Sequence, residues 1–385
     1  MKIFHTADWH LGKLLQGVYM TEDQRHILLQ FIEEIKNEKP DVVIIAGDLY
    51  DRSIPTSEAV DLLNDMLGKI VLELKTPVLA IAGNHDSPRR LEFGSKMMSS
   101  VGFHIAGNLS ATFSPVIYND EHGEVHFHLI PYTEPSLVKH ELGLEDIKTH
   151  NDAMEAIIAK INEQKDKQAR HVVVGHCFVT PTGEKRENTS DSERPLSIGG
   201  AEHVSAAHFT DFHYTALGHL HQAHHVKHEK IRYAGSPLKY SVSEERHKKG
   251  FLIVELDKNG EINVEKRFLQ AKRDIRIVEG LMEDIEKHEQ NEDYVFVRLL
   301  DETPVISPME RIRAVYPNAM HVERKSSRIH LHEEQENKEK RANMDQQSLF
   351  KSFYKEVKGT EPSEDTQSLF SDVLQEMLEV ESERK

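Results

Sequence analysis

The sequence predicts an α/β fold, followed by a smaller α/β unit and a helical tail. Short apolar runs rich in Val, Ile and Ala alternate with amphipathic helical patterns as far as about residue 240. This alternation is typical of a largely parallel sheet covered by helices. The predicted strands are residues 3–6, 42–46, 78–82, 126–130, 172–174 and 214–217.

Two helices are predicted between the first three strands. The second covers residues 57–73 and ends before Pro77, because helical backbone is disfavoured directly before a proline. The first is defined by side chains at the spacing of one helix face. That face comprises Gln24, Ile27, Leu28, Phe31, Ile32 and Ile35.

The pattern restarts at about residue 274, with strands 275–278, 294–299 and 319–323 and helices 281–287 and 308–315. Residues 180–200 are polar and indicate a long loop. In the tail, Gln347-Ser348-Leu349-Phe350 recurs at residues 367–370. We predict a main domain at 1–270, a capping domain at 271–332, a polar linker at 333–345 and a helical tail at 346–385.

The composition excludes several classes of protein. The chain has 48 Lys and Arg against 65 Asp and Glu, a formal charge of −17, so a uniformly basic surface is excluded while a local basic groove is not. A single cysteine, Cys177, excludes a disulfide scaffold and a cysteine-built zinc site. The apolar runs are far shorter than the ~20 residues of a membrane span, and a soluble cytoplasmic protein is expected.

Polar side chains of metal-ligand type follow five of the predicted strands. Because ligands of α/β sheets bind beyond the carboxyl ends of strands, we expect these side chains to converge. Carboxylate, imidazole and carboxamide ligands suit Mn, Fe or Zn, and their number predicts two ions. The side chains are Asp8, His10, Asp48, Asp51, Asn84, His85, His176, His219 and His221.

A less specific interpretation exists for each motif alone. An Asp-x-His pair is often a turn, and Gly-Asn-His-Asp can be a hairpin turn. Five such ends in order, each after a buried strand, favour a metal centre over solvated loop histidines.

Taken together, the motifs Asp-x-His, Gly-Asp-x-x-Asp, Gly-Asn-His-Asp, Gly-His and Gly-His-x-His resemble those of the calcineurin-like metallophosphoesterases. Within that family the chain is similar to bacterial nuclease subunits that work with an SbcC-type ATPase. This narrower likeness rests on residues 22–25, 192–200 and 234–241. Asp51 is followed by Arg52-Ser53 where many phosphatases have Arg-Gly, and Asp86 stands where they often have Glu, which points to the nuclease branch.

The resemblance implies an αββα sandwich that binds two divalent metal ions. Mn2+ is the expected metal, and Mg2+ is the alternative. It implies that Asp8, His10 and His221 hold one ion and that Asn84, His176 and His219 hold the other. Asp48 would bridge both ions. His85 would act as general acid or transition-state stabiliser, and Asp51 would orient it.

The resemblance also implies function and partners. The expected activity is ATP-linked 3′-to-5′ exonuclease cleavage of duplex ends and endonuclease cleavage of hairpins and single strands, in DNA repair, recombination and replication. The capping domain would help to hold DNA. The tail, with its apolar stripes, would dock on the coiled-coil base of the SbcC-type ATPase, and the subunit would form a homodimer within a heterotetramer, at the nucleoid.

Alternatives stay open at this point. The apolar face at residues 27–35, with its preceding loop, is either the dimer surface or simply core. The enzyme is alternatively a calcineurin-like phosphodiesterase or phosphatase that acts on nucleotides or phosphoproteins. A non-catalytic scaffold is disfavoured, because binding alone has no chemical need for His85 and all of the ligands.

Overall fold

The computed structural model describes residues 1–110, 112–182, 191, 193, 202–324, 346–358 and 361–383. The chain divides into two compact units, Met1–Arg324 and Lys325–Lys385. Most of the predicted loop at 180–200 and all of the predicted linker at 333–345 lie outside the described residues.

Two six-stranded sheets form the described part of the first unit's main body. In spatial order, the first sheet contains Ile262–Phe268 (β16), Gly250–Leu256 (β15), Lys2–Thr6 (β1), Val42–Ile45 (β4), Val78–Ile81 (β5) and Phe103–Ala106 (β6). The second contains His224–Val226 (β13), His228–Tyr233 (β14), Tyr214–Gly218 (β12), Arg170–His176 (β9), Gly123–Ile130 (β8) and Val116–Asp120 (β7). Shorter pairs are Leu14–Leu15 (β2) with Val18–Tyr19 (β3), and Phe178–Thr180 (β10) with His203–Ser205 (β11).

The strands that carry the motifs are parallel within each sheet. In the first sheet β1 pairs with β4 and β4 with β5, and in the second β9 pairs with β12. Parallel strands bring their carboxyl ends to one edge, so the motif loops of each sheet emerge together.

A fully buried apolar layer joins the two sheets. Ile44 and Leu79 of the first sheet belong to the same core cluster as Phe127 and Val172 of the second. Because β4 and β5 are apolar at every position, they also bury their other face, against helices. The helices of the main body are Thr21–Glu38 (α1), Ser57–Leu67 (α2), Pro88–Leu91 (α3), Ser95–Ser99 (α4), Pro135–Leu142 (α5) and His150–Gln164 (α6).

The helices cover the outer faces of both sheets. On the first sheet α1 and α2 pack on Phe4 and Val43, and on the second α6 packs on Val173. The predicted αββα arrangement is confirmed. The helix predicted over residues 57–73 continues beyond α2 as the π-helical turn Gly68–Glu73.

The apolar face of α1 is core. Its side chains at Ile27, Phe31 and Ile35 are almost inaccessible to solvent and pack in the cluster that contains Phe4. The alternative in which this helix face meets a second copy of the chain is therefore wrong.

The small α/β unit that was predicted after residue 270 is present within the first compact unit. Its parallel sheet contains Ile275–Gly280 (β17), Tyr294–Leu299 (β18) and His321–Arg324 (β19), with helices Met282–Ile285 (α7) and Pro308–Val315 (α8). Three of its arginines are already paired with carboxylates: Arg273 with Asp23, Arg276 with Asp293 and Arg311 with Glu286.

The tail forms two helices, Gln346–Lys358 (α9) and Glu364–Glu383 (α10). The rings of Phe350 and Phe370 stack at 4.0 Å between centroids and 6° between planes. The repeated motif therefore joins the two helices to each other. No helix in the described part of the chain is long and apolar enough to cross a bilayer.

Candidate metal centre

The predicted ligands converge at the carboxyl ends of five strands, as expected. Asp8 and His10 follow β1, Asp48 follows β4, and Asn84 follows β5. From the second sheet, His176 ends β9, and His219 and His221 follow β12. All of these side chains except Asn84, which is partly buried, are almost fully shielded from solvent.

The backbone at this centre is unusual. Asp8, His10, Asp48 and His219 all have positive φ, at 55°, 45°, 51° and 102°. Left-handed backbone is uncommon for residues other than glycine and costs free energy, so it persists only where the surrounding structure imposes it. Four such residues in one cluster indicate a site that was selected for function.

Two glycines allow the loops to approach one another closely. A Cβ atom at Gly47 would lie 2.3 Å from Nδ1 of His176, and one at Gly83 would lie 2.1 Å from Oδ1 of Asp48. Both distances are far below van der Waals contact. Any side chain at either position would push the predicted ligands apart.

Donor atoms of the described residues form three overlapping groups, the third of which consists of His10, Asp51 and His85. The atoms of Asp8, His10 and His221 lie within 4.8 Å of one another, and so do those of Asp8, Asp48 and His176. Oδ2 of Asp48 lies 3.6 Å from Nε2 of His10 and 3.5 Å from Nε2 of His176, which places it between the two histidines.

The remaining predicted ligands adjoin the second group. Oδ1 of Asn84 lies 2.9 Å from Nε2 of His176. The His219 ring lies against the His176 ring, with 5.4 Å between centroids. The structure thus brings together all seven residues predicted as ligands.

The donor set fits divalent cations. Oδ2 of Asp8 and Nδ1 of His10 are buried without a hydrogen-bond partner in the described structure. Nε2 of His10 also faces Nε2 of His221 at 3.1 Å, an arrangement in which two lone pairs can converge on one cation. Carboxylates and imidazoles without thiolates suit Mn, Fe or Zn.

Burial and neighbouring charges shift the pKa values of several side chains in the cluster. Burial raises the pKa of Asp8 to about 7, and burial lowers the pKa of His10 and of His219 well below the usual value. Although burial opposes it, the Asp48 carboxylate raises the pKa of His176 to about 9. Neutral imidazoles at His10 and His219 are in the state that binds metal.

His85 lies beside this cluster, and its orientation differs in detail from the prediction. Its Nδ1 donates to the main-chain carbonyl of Asp51 at 2.8 Å, whereas the prediction gave the orienting role to the carboxylate. The Asp51 carboxylate accepts from Nζ of Lys13 at 2.9 Å, lies 3.7 Å from Nδ1 of His10, and shares a group of donor atoms with His10 and His85. Side-chain type could not reveal this difference, because any residue at position 51 supplies a carbonyl.

Asp86 has a structural role that the sequence did not reveal. In the sequence it only distinguished the nuclease branch of the family from the phosphatases. Its carboxylate accepts main-chain hydrogen bonds from Leu49, Tyr50 and Gly83, at 3.1, 3.0 and 2.9 Å. It therefore joins the loop after β4 to the loop after β5. Burial raises the pKa of Asp86 to about 7.

Gln24 and Tyr240, which lie in two segments of the narrower resemblance, hold the first loop. Nε2 of Gln24 donates to the carbonyl of His10 at 2.7 Å, and its Oε1 accepts from the Gly12 amide at 3.1 Å. The Tyr240 hydroxyl donates to the carbonyl of Trp9. The Trp9 ring is 1% exposed and packs in the core.

Glu244 and Lys249 form a buried pair behind His221 that the sequence did not suggest. Oε1 of Glu244 lies 3.1 Å from Nδ1 of His221, and its other oxygen pairs with Lys249. Although burial opposes it, Lys249 and His221 hold the pKa of Glu244 well below its usual range, so the residue is a carboxylate. This contact orients the imidazole and directs Nε2 towards the cluster.

Comparisons with known proteins agree with this geometry. The family model for calcineurin-like phosphoesterases matches residues 1–223, more than half of the chain, and the chain belongs to this family. An SbcD C-terminal model, described as the type 5 capsule protein repressor C-terminal domain, matches residues 271–358. The two matches together confirm the resemblance to SbcD-type nuclease subunits.

Two solved structures to which this chain is similar are TT1561 of Thermus thermophilus and a dimetal phosphatase from Danio rerio. The first is 11% identical with a TM-score of 0.39 and covers 69% of this chain and 98% of its own. The second is 12% identical with a TM-score of 0.39 and covers 70% of this chain and 96% of its own. Family membership and the clustered His and Asp side chains indicate a two-metal, metal-dependent phosphoesterase.

Glu244→Gln should weaken Mn2+ binding about 10- to 100-fold, because His221 loses the carboxylate that orients it. Titration calorimetry with Mn2+ measures the change. The double variant Glu244→Gln/Lys249→Met is the control for folding, since it leaves no unpaired buried charge. We expect it to unfold at the wild-type temperature and still to bind Mn2+ weakly. Wild-type affinity in the double variant would contradict the positioning role.

Proposed function

We propose that this protein is a metal-dependent DNA nuclease that cleaves duplex ends from the 3′ side and cuts hairpins and single strands. One observation carries the proposal: a buried phosphoesterase-type ligand cluster precedes, in one chain, a domain that matches the SbcD C-terminal model. The proposal includes processing of DNA breaks and hairpins at the nucleoid, linked to ATP turnover in a partner.

We propose the following ligand assignment. Asp8, His10 and His221 hold one ion, Asn84, His176 and His219 hold the other, and Asp48 contacts both. The central position of Oδ2 of Asp48 supports its bridging role. Two Mn2+ ions bound here would supply an activated water and stabilise charge on the phosphate oxygens.

His85 has the geometry of a general acid. A carbonyl oxygen only accepts hydrogen bonds, so the contact with Asp51 requires that Nδ1 of His85 carries a proton. Nε2 is then the nitrogen that gains and loses a proton. The hydrogen bond from the His85 amide to Oδ1 of Asp48, at 2.9 Å, holds this residue next to the metal cluster. His85 would protonate the departing 3′ oxygen.

His85→Ala should reduce Mn2+-dependent cleavage of a hairpin DNA about 10²- to 10⁴-fold, because the leaving oxygen loses its proton donor. Metal content and DNA affinity should stay at wild-type values, since His85 is not a proposed ligand. His140→Ala, at an exposed histidine far along the chain, is the matched control and should cleave normally. Wild-type cleavage by His85→Ala with both metals bound would remove His85 from the mechanism.

The second candidate function is a phosphodiesterase or phosphatase that acts on nucleotides or phosphoproteins. It is favoured by the family match alone, which specifies a phosphoester but no substrate. The hairpin assay separates the two candidates. Turnover of small phosphoesters by wild-type protein that leaves every DNA intact would support this alternative.

We propose that the tail docks on the coiled-coil base of an SbcC-type ATPase. Phe350 and Phe370 stack on each other, so they hold the helical pair together. Other apolar side chains remain exposed, with Phe353 at 63% and Leu369 at 65%. An exposed aromatic of this kind is typical of a helix that binds in a groove of a partner.

Phe353→Asp/Leu369→Asp should abolish co-purification with the SbcC-type ATPase, because each substitution puts a charge into an apolar interface. Metal-dependent cleavage by the isolated subunit should not change. Lys351→Asp/Ser368→Asp places the same new side chains at neighbouring exposed positions and should retain binding. Normal complex formation by the first variant would exclude this surface as the docking element.

We propose that the subunit forms a homodimer through a surface other than the buried apolar face of α1. A groove of about 410 Å³ near α2 and α3 is lined by apolar side chains that include Leu63 and Phe103. Ile54, Phe93 and Met97 are strongly exposed in the same part of the chain. Exposed apolar patches of this kind mark protein interfaces.

Phe93→Asp should convert the dimer to a monomer in light scattering at micromolar concentration, because a charge would be buried at the interface. Leu144→Asp, at another exposed apolar position, is the control and should leave the dimer intact. A wild-type protein that is monomeric at this concentration would contradict the proposed homodimer.

A further inference from the structure

A basic cleft of about 680 Å³ lies outside the metal centre, between the main sheets and the small α/β unit. It is formed by the turn before β15, the end of β16 and the start of β17. Six of its lining residues are lysines and arginines, against three carboxylates, in a chain whose formal charge is −17. The six are Lys239, Arg246, Lys248, Lys249, Lys272 and Arg273.

The carboxylates of the basic cleft are already engaged. Asp274 pairs with Lys239 at 2.8 Å, and Asp293 pairs with Arg276 at 2.8 Å. Glu245 accepts a hydrogen bond from the Ile277 amide at 2.9 Å. Asp274 and Asp293 are therefore already neutralised by cations, and Glu245 is the one carboxylate of the cleft without a cationic partner among the described residues.

Three cations of the basic cleft have no carboxylate partner among the described residues: Arg246, Lys248 and Lys272. All three are exposed to solvent. Burial, followed by repulsion from Lys249 and Lys248, lowers the pKa of the neighbouring Lys266. The local field is therefore positive, and an anion in the basic cleft would be stabilised there.

An aromatic ring lies among these cations. Phe268 is 55% exposed, which is unusual for a ring of this size. Nζ of Lys248 lies 5.7 Å from its centroid and Nζ of Lys266 lies 5.3 Å from it. Exposed aromatic rings between unpaired cations are typical of proteins that bind single-stranded nucleic acid, where bases stack and phosphates meet lysine or arginine.

The floor of the basic cleft reaches the metal centre through the main chain. Nζ of Lys249 donates to the carbonyl of His221 at 2.8 Å. A strand held in the basic cleft would thus run close to the loop that carries two of the proposed metal ligands.

We propose that the basic cleft binds single-stranded DNA, with phosphates on Arg246, Lys248 and Lys272 and a base stacked on Phe268. This inference rests on the proposed nuclease function, whose hairpin and unwound substrates expose single strands. Single-stranded DNA is favoured over duplex DNA because the Phe268 ring can stack only on an unpaired base. It is favoured over a free nucleotide because the unpaired cations come from two separate segments, residues 246–248 and residue 272.

The test measures binding of a fluorescent oligo-dT to the full-length chain by anisotropy, in EDTA so that no cleavage occurs. Phe268→Ala should weaken binding about fivefold or more, because it removes one stacked base. Lys248→Glu/Lys272→Glu should also weaken binding. The slope of log affinity against log salt should become shallower by about 1.4, for two lost phosphate contacts on a single strand.

Lys167→Glu/Lys258→Glu is the charge-matched control at exposed lysines outside the basic cleft, and it should bind as wild type does. Wild-type oligo-dT binding by both cleft variants would overturn the inference. So would an equal loss of affinity for blunt duplex DNA, or competition by dTMP as effective as by the oligonucleotide.

The Mn2+-dependent hairpin assay separates the two proposals. A wild-type protein that cleaves the hairpin while the cleft variants bind oligo-dT normally overturns only the inference about the basic cleft. A wild-type protein that cleaves no DNA overturns the proposed function, and the single-strand inference falls with it.

Discussion

The Asp48 carboxylate is the point at which the loops of both sheets meet, and the site depends on it. One oxygen accepts the amide of His85 from the loop after β5. The other lies between His10 of the first loop and His176 of the second sheet. The main chain of Asp48 also binds His10, whose amide donates to its carbonyl at 2.9 Å. One residue thus connects its own loop to three of the other four motif loops.

Such a concentration of buried charge needs a rigid support. Removing ionised groups from water costs free energy unless partners or a metal compensate for it, and left-handed backbone at four residues adds to that cost. The two apolar sheet layers provide the rigidity, because β4 and β5 are buried on both faces. Around them, Asp86, Gln24 and Glu244 each restrict a loop or an imidazole ring to a single geometry, through hydrogen bonds of 2.7–3.1 Å.

Charge is distributed unevenly over the molecule, and this suits the nuclease function proposed above. The overall charge of −17 opposes indiscriminate binding of nucleic acid. Unpaired cations are instead concentrated near Phe268, while the arginines of the small unit are largely neutralised by carboxylates. If the protein binds DNA as proposed, a local basic surface within an acidic protein would restrict the DNA to one path. The exposed apolar side chains of the tail are separate from that surface in sequence.

The sequence by itself determined six strands of the main body and the side chains that follow five of them, because these are local properties. The other strands of the two sheets, such as β6, β15 and β16, were not predicted. Buried parallel strands are recognised in the sequence as apolar runs. Side chains that follow such strands lie together because the carboxyl ends of parallel strands meet at one edge of the sheet. Only the tertiary structure decided which surfaces are free. A helix that packs in the core and a helix that forms a dimer show the same apolar periodicity, so the sequence of α1 fits both. The structure shows that this face packs on Phe4 in the core. Likewise, only the structure shows that Phe350 stacks on Phe370 and that Nδ1 of His85 donates to the main-chain carbonyl of Asp51. These contacts join residues that are distant in the sequence. The periodicity of apolar residues within one helix or strand carries no information about such contacts.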